Sequence, residues 1–312
     1  MIVAAGLGTR LRPLTNLRAK PALPVRGLPL IGYTLALLHH HGVREVVINT
    51  HHLPETLEAA ARAECPDGLA LAFSREQTLL DTGGGIRRVA DFLRGSDPCL
   101  VVGGDMLIDV DLGALLRLHR ERGDAVTMLL REDPRSASFG SVGVDAGGSV
   151  RRIGSRFDLG GGERRAGVYT WVNVVSRRLL ATLPQREIFS HFEGWWWPLL
   201  QAGARDVRGC FEPCTWEPVG TPEEYLAVNR APLRFPWLDA DARARARGVR
   251  FDSDCVIGAG ASLGAGARLR EVVVWEAERV PAGLHAERGV FAGGAFHAVD
   301  GPHGGIGGTT SA

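Results

Sequence analysis

Cysteine is sparse and scattered: Cys65, Cys99, Cys210, Cys214 and Cys255 form no C-x-x-C pair, and their number is odd. That pattern excludes a disulfide framework and offers no zinc spacing, so the thiols read as packing residues of a cytoplasmic protein. An excess of charge of one sign is also missing, with 36 Lys and Arg against 35 Asp and Glu. No global field favours nucleic acid or an acidic membrane surface, and neither is expected as a partner. Long apolar runs are lacking as well. The opening MIVAAGLG is too short for a membrane span and lacks the charged flank of a signal peptide. Its strand is short for a central position in a sheet, which suggests a natural start a few residues upstream. His51 and His52 lack a third ligand at metal spacing and read as loop packing.

What is present is an alternation. A chain of 312 residues holds one large domain and a smaller one. Over its first two thirds, β-branched or apolar runs (IVAA, VREVVINT, and runs near Leu71 to Phe73, Cys99 to Val102 and Ala125 to Leu130) alternate with helical patterns near Thr56 to Glu64, Ile86 to Leu93 and Leu112 to Arg122. The fold class is therefore α/β: a Rossmann-like, mostly parallel sheet with helices on its faces, whose ligands gather at the carboxyl ends of the strands. Residues 131 to 170 are richer in Gly, Arg and Asp and suggest a less regular excursion, suited to a lid over a second substrate. This larger domain spans residues 1–235.

From 236 to 300 we expect a linker and a small module. The run RARAR, Arg243 to Arg247, follows Asp239 and Asp241 and reads as a solvated helix. Beyond it Phe251, Ile257, Leu263, Leu269 and Trp275 recur every six residues, with Gly258 and Gly264 after two of them. Six is the period of hexapeptide left-handed β-helices, in which each such apolar residue points inward and the glycine permits a tight corner. So short a solenoid buries little area alone and is expected to dock on the main domain or on another subunit, as in a homo-oligomer. Residues 301–312 are Gly-rich and expected to be disordered.

The chemistry begins at Ala4 to Pro21, AAGLGTRLRPLTNLRAKP, directly after the first strand. Leu11 stands at the third glycine position of G-x-G-x-x-G, and no G-K-[ST] follows the glycines, so neither a dinucleotide fingerprint nor a P-loop is present. Gly6 and Gly8 free two backbone turns, their N–H groups are able to converge on phosphate oxygens, and Thr9, Arg10 and Lys20 add a hydroxyl and two cations. The run VVGGD ends in Asp105 at the ligand-binding edge of the sheet, and a carboxylate there suits Mg²⁺. Glu76 is placed to accept N–H groups from a base edge, one from uracil or thymine and two from guanine; an exposed loop glutamate is the competing reading.

The glycine segment resembles the signature of the sugar-nucleotide pyrophosphorylases, G-x-G-T-R-L-x-P-L-T followed by K-P, at every position. The loop NTHHLPE, Asn49 to Glu55, is similar to one in bacterial mannose-1-phosphate guanylyltransferases and muramate-phosphate uridylyltransferases. The resemblance implies the nucleotide-diphospho-sugar transferase fold, a nucleoside triphosphate and a sugar 1-phosphate as partners, and Mg²⁺. It implies that Ala5, Gly6, Leu7, Gly8 and Thr9 contact the nucleotide, that Arg10 holds the departing phosphates and that Lys20 neutralises charge at the transferred phosphorus. TLLDTGGGI at 78 to 86 is similar to the family segment beneath base and ribose, which adds Thr82, Gly83 and Gly84. AGVYTWVN at 166 to 173 resembles the strand lining the sugar pocket, which adds Gly167 and Asn173, together with Gly104 and, as a cation for the sugar phosphate, Arg156.

Two departures stand out. Where the family carries W-x-D-V-G-T-P, with a second metal aspartate, this chain reads Trp216, Glu217, Pro218, Val219, Gly220, Thr221, Pro222. Pro218 has no coordinating side-chain oxygen, and Glu217 is an awkward substitute because neighbouring strand residues face opposite ways. The E-K-P sugar segment is also lacking in RRIGSRF at 151 to 157. The leading expectation is an active, Mg²⁺-dependent transferase of the mannose-1-phosphate guanylyltransferase kind. Uridylyl or thymidylyl transfer to another sugar 1-phosphate, or a catalytically weakened regulatory homologue, are the alternatives.

Overall fold

The computed structural model describes residues 1–252 and 254–300; the tail at 301–312, expected to be disordered, lies outside the described residues. Contacts divide the chain into two compact units, Met1–Leu7 with Ile31–Glu217, and Gly8–Leu30 with the chain from Pro218.

The first unit is built on a ten-stranded sheet. Its spine runs Ala70–Arg75, Glu45–Thr50, Ile2–Val3, Cys99–Gly103, Arg165–Val175, and the first three pairings are parallel. The apolar runs form these central strands because both faces are covered: Ile2, Ile48, Val102 and Val172 are all buried. Arg165–Val175 runs antiparallel to Cys99–Gly103 and pairs on its other side with Val126–Arg131, which pairs in turn, in parallel, with Val207–Cys210. The first half of the same long strand carries Val142–Val144, Val150–Ile153 and Phe157–Asp158 in an antiparallel extension. The sheet is thus mixed and largely parallel in its centre, as the alternating pattern indicates, and residues 131 to 170 form the expected irregular excursion.

Local chemistry sets the helix ends. Leu112–Arg122 starts at Asp111, whose side chain accepts the Ala114 N–H, and stops at Gly123 in the left-handed region. The helix expected near Ile86 to Leu93 is two helices, Asp81–Arg88 and Ala90–Leu93. Among the described residues no helix is long and apolar enough to cross a membrane.

In the second unit the segment Gly8–Leu30 is fastened to the C-terminal part. Arg26 is 5% exposed; its guanidinium donates to both carboxylate oxygens of Asp241 at 2.6 Å and to the Asn229 carbonyl at 2.8 Å. Tyr225 donates to the Pro24 carbonyl at 2.5 Å and accepts from the Trp275 indole at 3.0 Å. The RARAR run is a helix, Ala240–Ala246, capped by Asp239.

Beyond it Cys255–Ile257, Arg268–Val274 and His285–Ala292 pair in parallel, and Ser262–Leu263 pairs in parallel with Arg279–Val280. The rungs fall seventeen residues apart, Val256 opposite Val273 opposite Val290. The six-residue pattern locates Ile257 in the interior, with Leu269 packed against it, but fails at Leu263, which is 43% exposed, and at Trp275, whose indole faces Tyr225. The interior is filled instead by Cys255, Val272, Val274, Val280, Ala286 and Phe291. Gly258 and Gly264 serve close packing rather than corner turning. A Cβ on Gly258 would overlap the backbone of Glu276 in the next rung, one on Gly264 that of Ala282, and the left-handed turns fall at Gly260, Gly266 and Gly283.

Candidate functional site

At the carboxyl edge of the first unit a buried chain of hydrogen bonds ties three strand ends together. The Ala4 N–H donates to Asn49 Oδ1 at 2.8 Å, Asn49 Nδ2 donates to Glu76 Oε1 at 2.8 Å, and Glu76 Oε2 accepts the Leu80 N–H at 3.0 Å. Glu76 is 4% exposed with both oxygens committed, so it shapes the loop around Ala5, Gly6 and Leu7 instead of reading a base edge. His51 belongs to the same brace, with Nδ1 2.8 Å from the Glu76 carbonyl, which matches loop packing. Asn49 was not singled out as a site residue, although the NTHHLPE match pointed at its loop.

Gly83 and Gly84 are also reassigned. Both N–H groups donate to the Phe189 carbonyl, at 2.9 and 3.1 Å, and their Cα faces are covered by Phe189 and by the Glu187 carbonyl. In an ordinary helix Gly→Ala stabilises by about 1 kcal/mol. At Gly84 the added methyl would overlap the Glu187 carbonyl, and overpacking wins. We expect Gly84→Ala to lower the urea unfolding free energy by about 2 kcal/mol; a stabilised variant would refute the packing account. Thr82 bonds to His191, its hydroxyl 2.6 Å from Nδ1, and also accepts the His191 N–H at 3.1 Å.

Asp105 is part-exposed and follows Gly103 and Gly104 at the end of Cys99–Gly103. Gly104 is buried, its N–H given to the Val3 carbonyl at 3.0 Å, and a Cβ there would sit 2.8 Å from Ile2 Cγ2; its glycine is needed for strand packing rather than for sugar contact. A Cβ on Gly103 would lie 3.0 Å from Trp171 Cβ and 3.3 Å from Asp105 Oδ1. Gly167 is buried beneath Phe211 and the Arg131 carbonyl. Asn173 is 2% exposed and donates to the Tyr169 hydroxyl at 2.6 Å and to the Val101 carbonyl at 3.2 Å. It braces the strand. Arg156 is exposed and ion-paired with Glu193 at 2.5 Å.

Glu217 points outward, 3.1 Å from Arg135. The same guanidinium grips Asp133 through two bonds of 2.8 Å, and that contact holds the Asp133 carboxyl down at about 2. Glu217 is therefore committed to an arginine and is a poor metal ligand. Among the described residues no group of three or more His, Cys, Asp or Glu side chains is arranged to hold a metal. Burial pushes the Cys99 thiol up to about 11 and Cys210 to about 12, which keeps both protonated and unreactive.

In the second unit Gly8 adopts φ 61° and opens the short helix Thr9–Leu11. Thr15 Oγ1 donates to the Gly8 carbonyl at 2.9 Å, and a Cβ on Gly8 would lie 2.8 Å from Thr15 Cγ2 and 3.2 Å from Lys20 Cβ. Glycine is thus required by conformation and by space. Fully buried Leu11 anchors the turn and leaves Thr9 and Arg10 exposed. The V-G-T-P segment has a local role that the sequence signals by T-x-x-E. Thr221 and Glu224 form a capping box at the start of Pro222–Arg230, and a Cβ on Gly220 would lie 3.2 Å from Arg10 Nη2.

Comparison with known proteins agrees with these features. The family model described as nucleotidyl transferase matches residues 1–234. A mannose-1-phosphate guanylyltransferase of Mycobacterium tuberculosis is 32% identical over 310 residues, covering 92% of this chain and 82% of that protein. An N-acetylmuramate alpha-1-phosphate uridylyltransferase of Caulobacter vibrioides is 34% identical, covering 73% and 94%. The crystal structure of HddC from Yersinia pseudotuberculosis shares the fold with a TM-score of 0.61 at 20% identity, covering 73% of this chain and 96% of that one. The chain belongs to the nucleotidyl transferase family, among relatives whose names place them on sugar 1-phosphates.

Proposed function

We propose that this protein joins a sugar 1-phosphate to a nucleoside triphosphate. An oxygen of the sugar phosphate bonds to the α-phosphorus, the bond from that phosphorus to the bridging oxygen breaks, and pyrophosphate leaves. The nucleophile is already an anion, so orientation and charge neutralisation replace a general base. Arg10 is assigned to the departing phosphates, Lys20 to the transferred phosphoryl group and Asp105 to a metal. The single observation behind the reading is the glycine turn: Gly8 holds it in a shape that leaves Thr9 and Arg10 exposed.

One part-exposed carboxylate fits Mg²⁺, which takes most of its remaining oxygens from phosphate and water, and does not fit a protein cage. When bound there, the ion would offset charge on the α-phosphate. Guanylyl transfer to mannose 1-phosphate is the leading assignment, supported by the Mycobacterium relative and by an HddC structure complexed with GMP-PN. Uridylyl transfer is next, supported by the uridylyltransferase relatives. We read the seventeen-residue rungs after Arg250 as a short β-helix, the smaller domain of the chain and a candidate contact between subunits.

Pyrophosphate release across GTP, UTP, dTTP, ATP and CTP, each with a panel of sugar 1-phosphates and Mg²⁺, tests the assignment. Release with one pair names the substrates. A second reading, a sugar-nucleotide-binding regulator, is favoured by Pro218 and by the commitment of Glu217 to Arg135. Tight nucleotide-sugar binding without release from any pair would select it.

A further inference from the structure

Trp171 has a backbone that an aromatic residue rarely adopts. Its φ is 61°, in the left-handed region, where a bulky side chain costs about 1–3 kcal/mol and persists only if its surroundings impose it. The cause is a bulge in Arg165–Val175. Against Val126–Arg131 the register passes from Tyr169 opposite Leu130 directly to Asn173 opposite Met128, so four steps on one strand meet two on the other. The bulge is pinned by side chains that replace lost ladder bonds. Thr170 Oγ1 donates to the Leu129 carbonyl at 2.9 Å, and Asn173 Nδ2 bridges the Tyr169 hydroxyl and the Val101 carbonyl. Bulges re-aim side chains next to active sites.

The place to which this one is aimed is specific. Val172 pairs with Val102, which sets Trp171 against Gly103 and beside Asp105. The indole is backed by Tyr169 and by His191, each with ring centroids 5.1 Å away, yet it remains half-buried while its neighbours Thr170 and Val172 are fully enclosed. Filling the core needs neither the strained backbone nor the exposed remainder of the ring. Cys99–Gly103 lies between Ile2–Val3 and Arg165–Val175, so Trp171 stands one strand beyond Asp105 from the segment Ala4 to Leu7.

We infer that Trp171 is the specificity-determining platform for the acceptor: its ring receives the C–H face of the hexopyranose of the sugar 1-phosphate. This rests on the nucleotidyl-transfer reading and names the residue that meets the sugar. A pyranose has an apolar C–H face and a hydroxylated rim, and an indole is the side chain that covers the former without a charge to compete for the phosphate.

The test uses the full chain and two variants. Trp171→Gly removes the ring and relieves the backbone strain, and its urea midpoint is measured beside the kinetics; Trp171→Phe keeps a smaller ring. With the pair identified by pyrophosphate release, we expect Trp171→Gly to raise the KM for the sugar 1-phosphate by about ten-fold, with the KM for the triphosphate changed less than about two-fold and Trp171→Phe in between. An unchanged sugar KM, or an equal or larger rise for the triphosphate, overturns the inference. If the wild type releases no pyrophosphate from any pair, the transfer reading fails, and the platform is judged from dissociation constants for GDP-mannose against GDP and for UDP-glucose against UDP. The sugar must tighten binding in at least one pair, and Trp171→Gly must erase that gain; a gain that survives the substitution, or none at all, overturns it.

Discussion

Asp105→Asn is expected to reduce pyrophosphate release by about a hundred- to a thousand-fold while leaving the urea midpoint close to wild type. The carboxylate follows two glycines at the end of Cys99–Gly103, and its oxygen approaches the open side of Gly103. An amide keeps the shape and loses the charge. The side chain is part-exposed and stands outside the buried Ala4, Asn49, Glu76 and Leu80 chain, so the bonds that hold the strand ends survive the substitution. A variant that retains a tenth or more of the wild-type rate would take Asp105 out of the catalytic set. Glu217 is bonded to Arg135 and is not free to replace it.

The second large effect is on stability in acid. His191 is fully enclosed among Tyr169, Trp171, Phe192 and Trp196, its Nδ1 meets Thr82, and its Nε2 has no partner among the described residues. Burial drives its pKa down from 6.5 to about 3, so the folded protein keeps the ring neutral where the unfolded chain protonates it. The contribution is fully present above pH 6.5 and is lost as the pH falls from there toward 3, at up to about 1.4 kcal/mol per pH unit. Between pH 7 and pH 4 the unfolding free energy should therefore fall by about 2–3 kcal/mol more in the wild type than in His191→Gln, whose amide does not titrate. Urea unfolding at three or four pH values measures the difference, and parallel curves for the two proteins would refute it.

These two residues differ in how far the sequence reveals them. Asp105 ends an apolar run after two glycines, and that pattern is contiguous. The same holds for the glycine turn: the φ of Gly8, the buried Leu11 and the exposed Thr9 and Arg10 lie within four positions of one another. His191 gives no such signal. It meets Thr82 across 109 positions, and although Phe192 and Trp196 are close in the chain, Tyr169 and Trp171 reach it from a distant strand. Glu76 read as a base-edge acceptor because its partner Asn49 stands 27 positions earlier and consumes the carboxylate only once two parallel strands are side by side. Gly83 and Gly84 looked open for the same reason: their N–H groups are taken by Phe189. The six-residue rhythm misplaces Leu263, because the paired strands lie seventeen positions apart and leave it outside the interior.

The sequence by itself determined the α/β class, the glycine-loop signature and Asp105 at a strand end, because helix and strand periodicity, turn glycines and short motifs act over a few neighbouring residues. Only the tertiary structure decided which groups meet Glu76, Gly83, Gly84, Gly104, Gly167 and Asn173, that Glu217 pairs with Arg135, and that a bulge sets Trp171 beside Asp105. Those outcomes depend on which buried donors and acceptors meet across the sheet, and a buried polar group must be paired by whatever the fold brings to it.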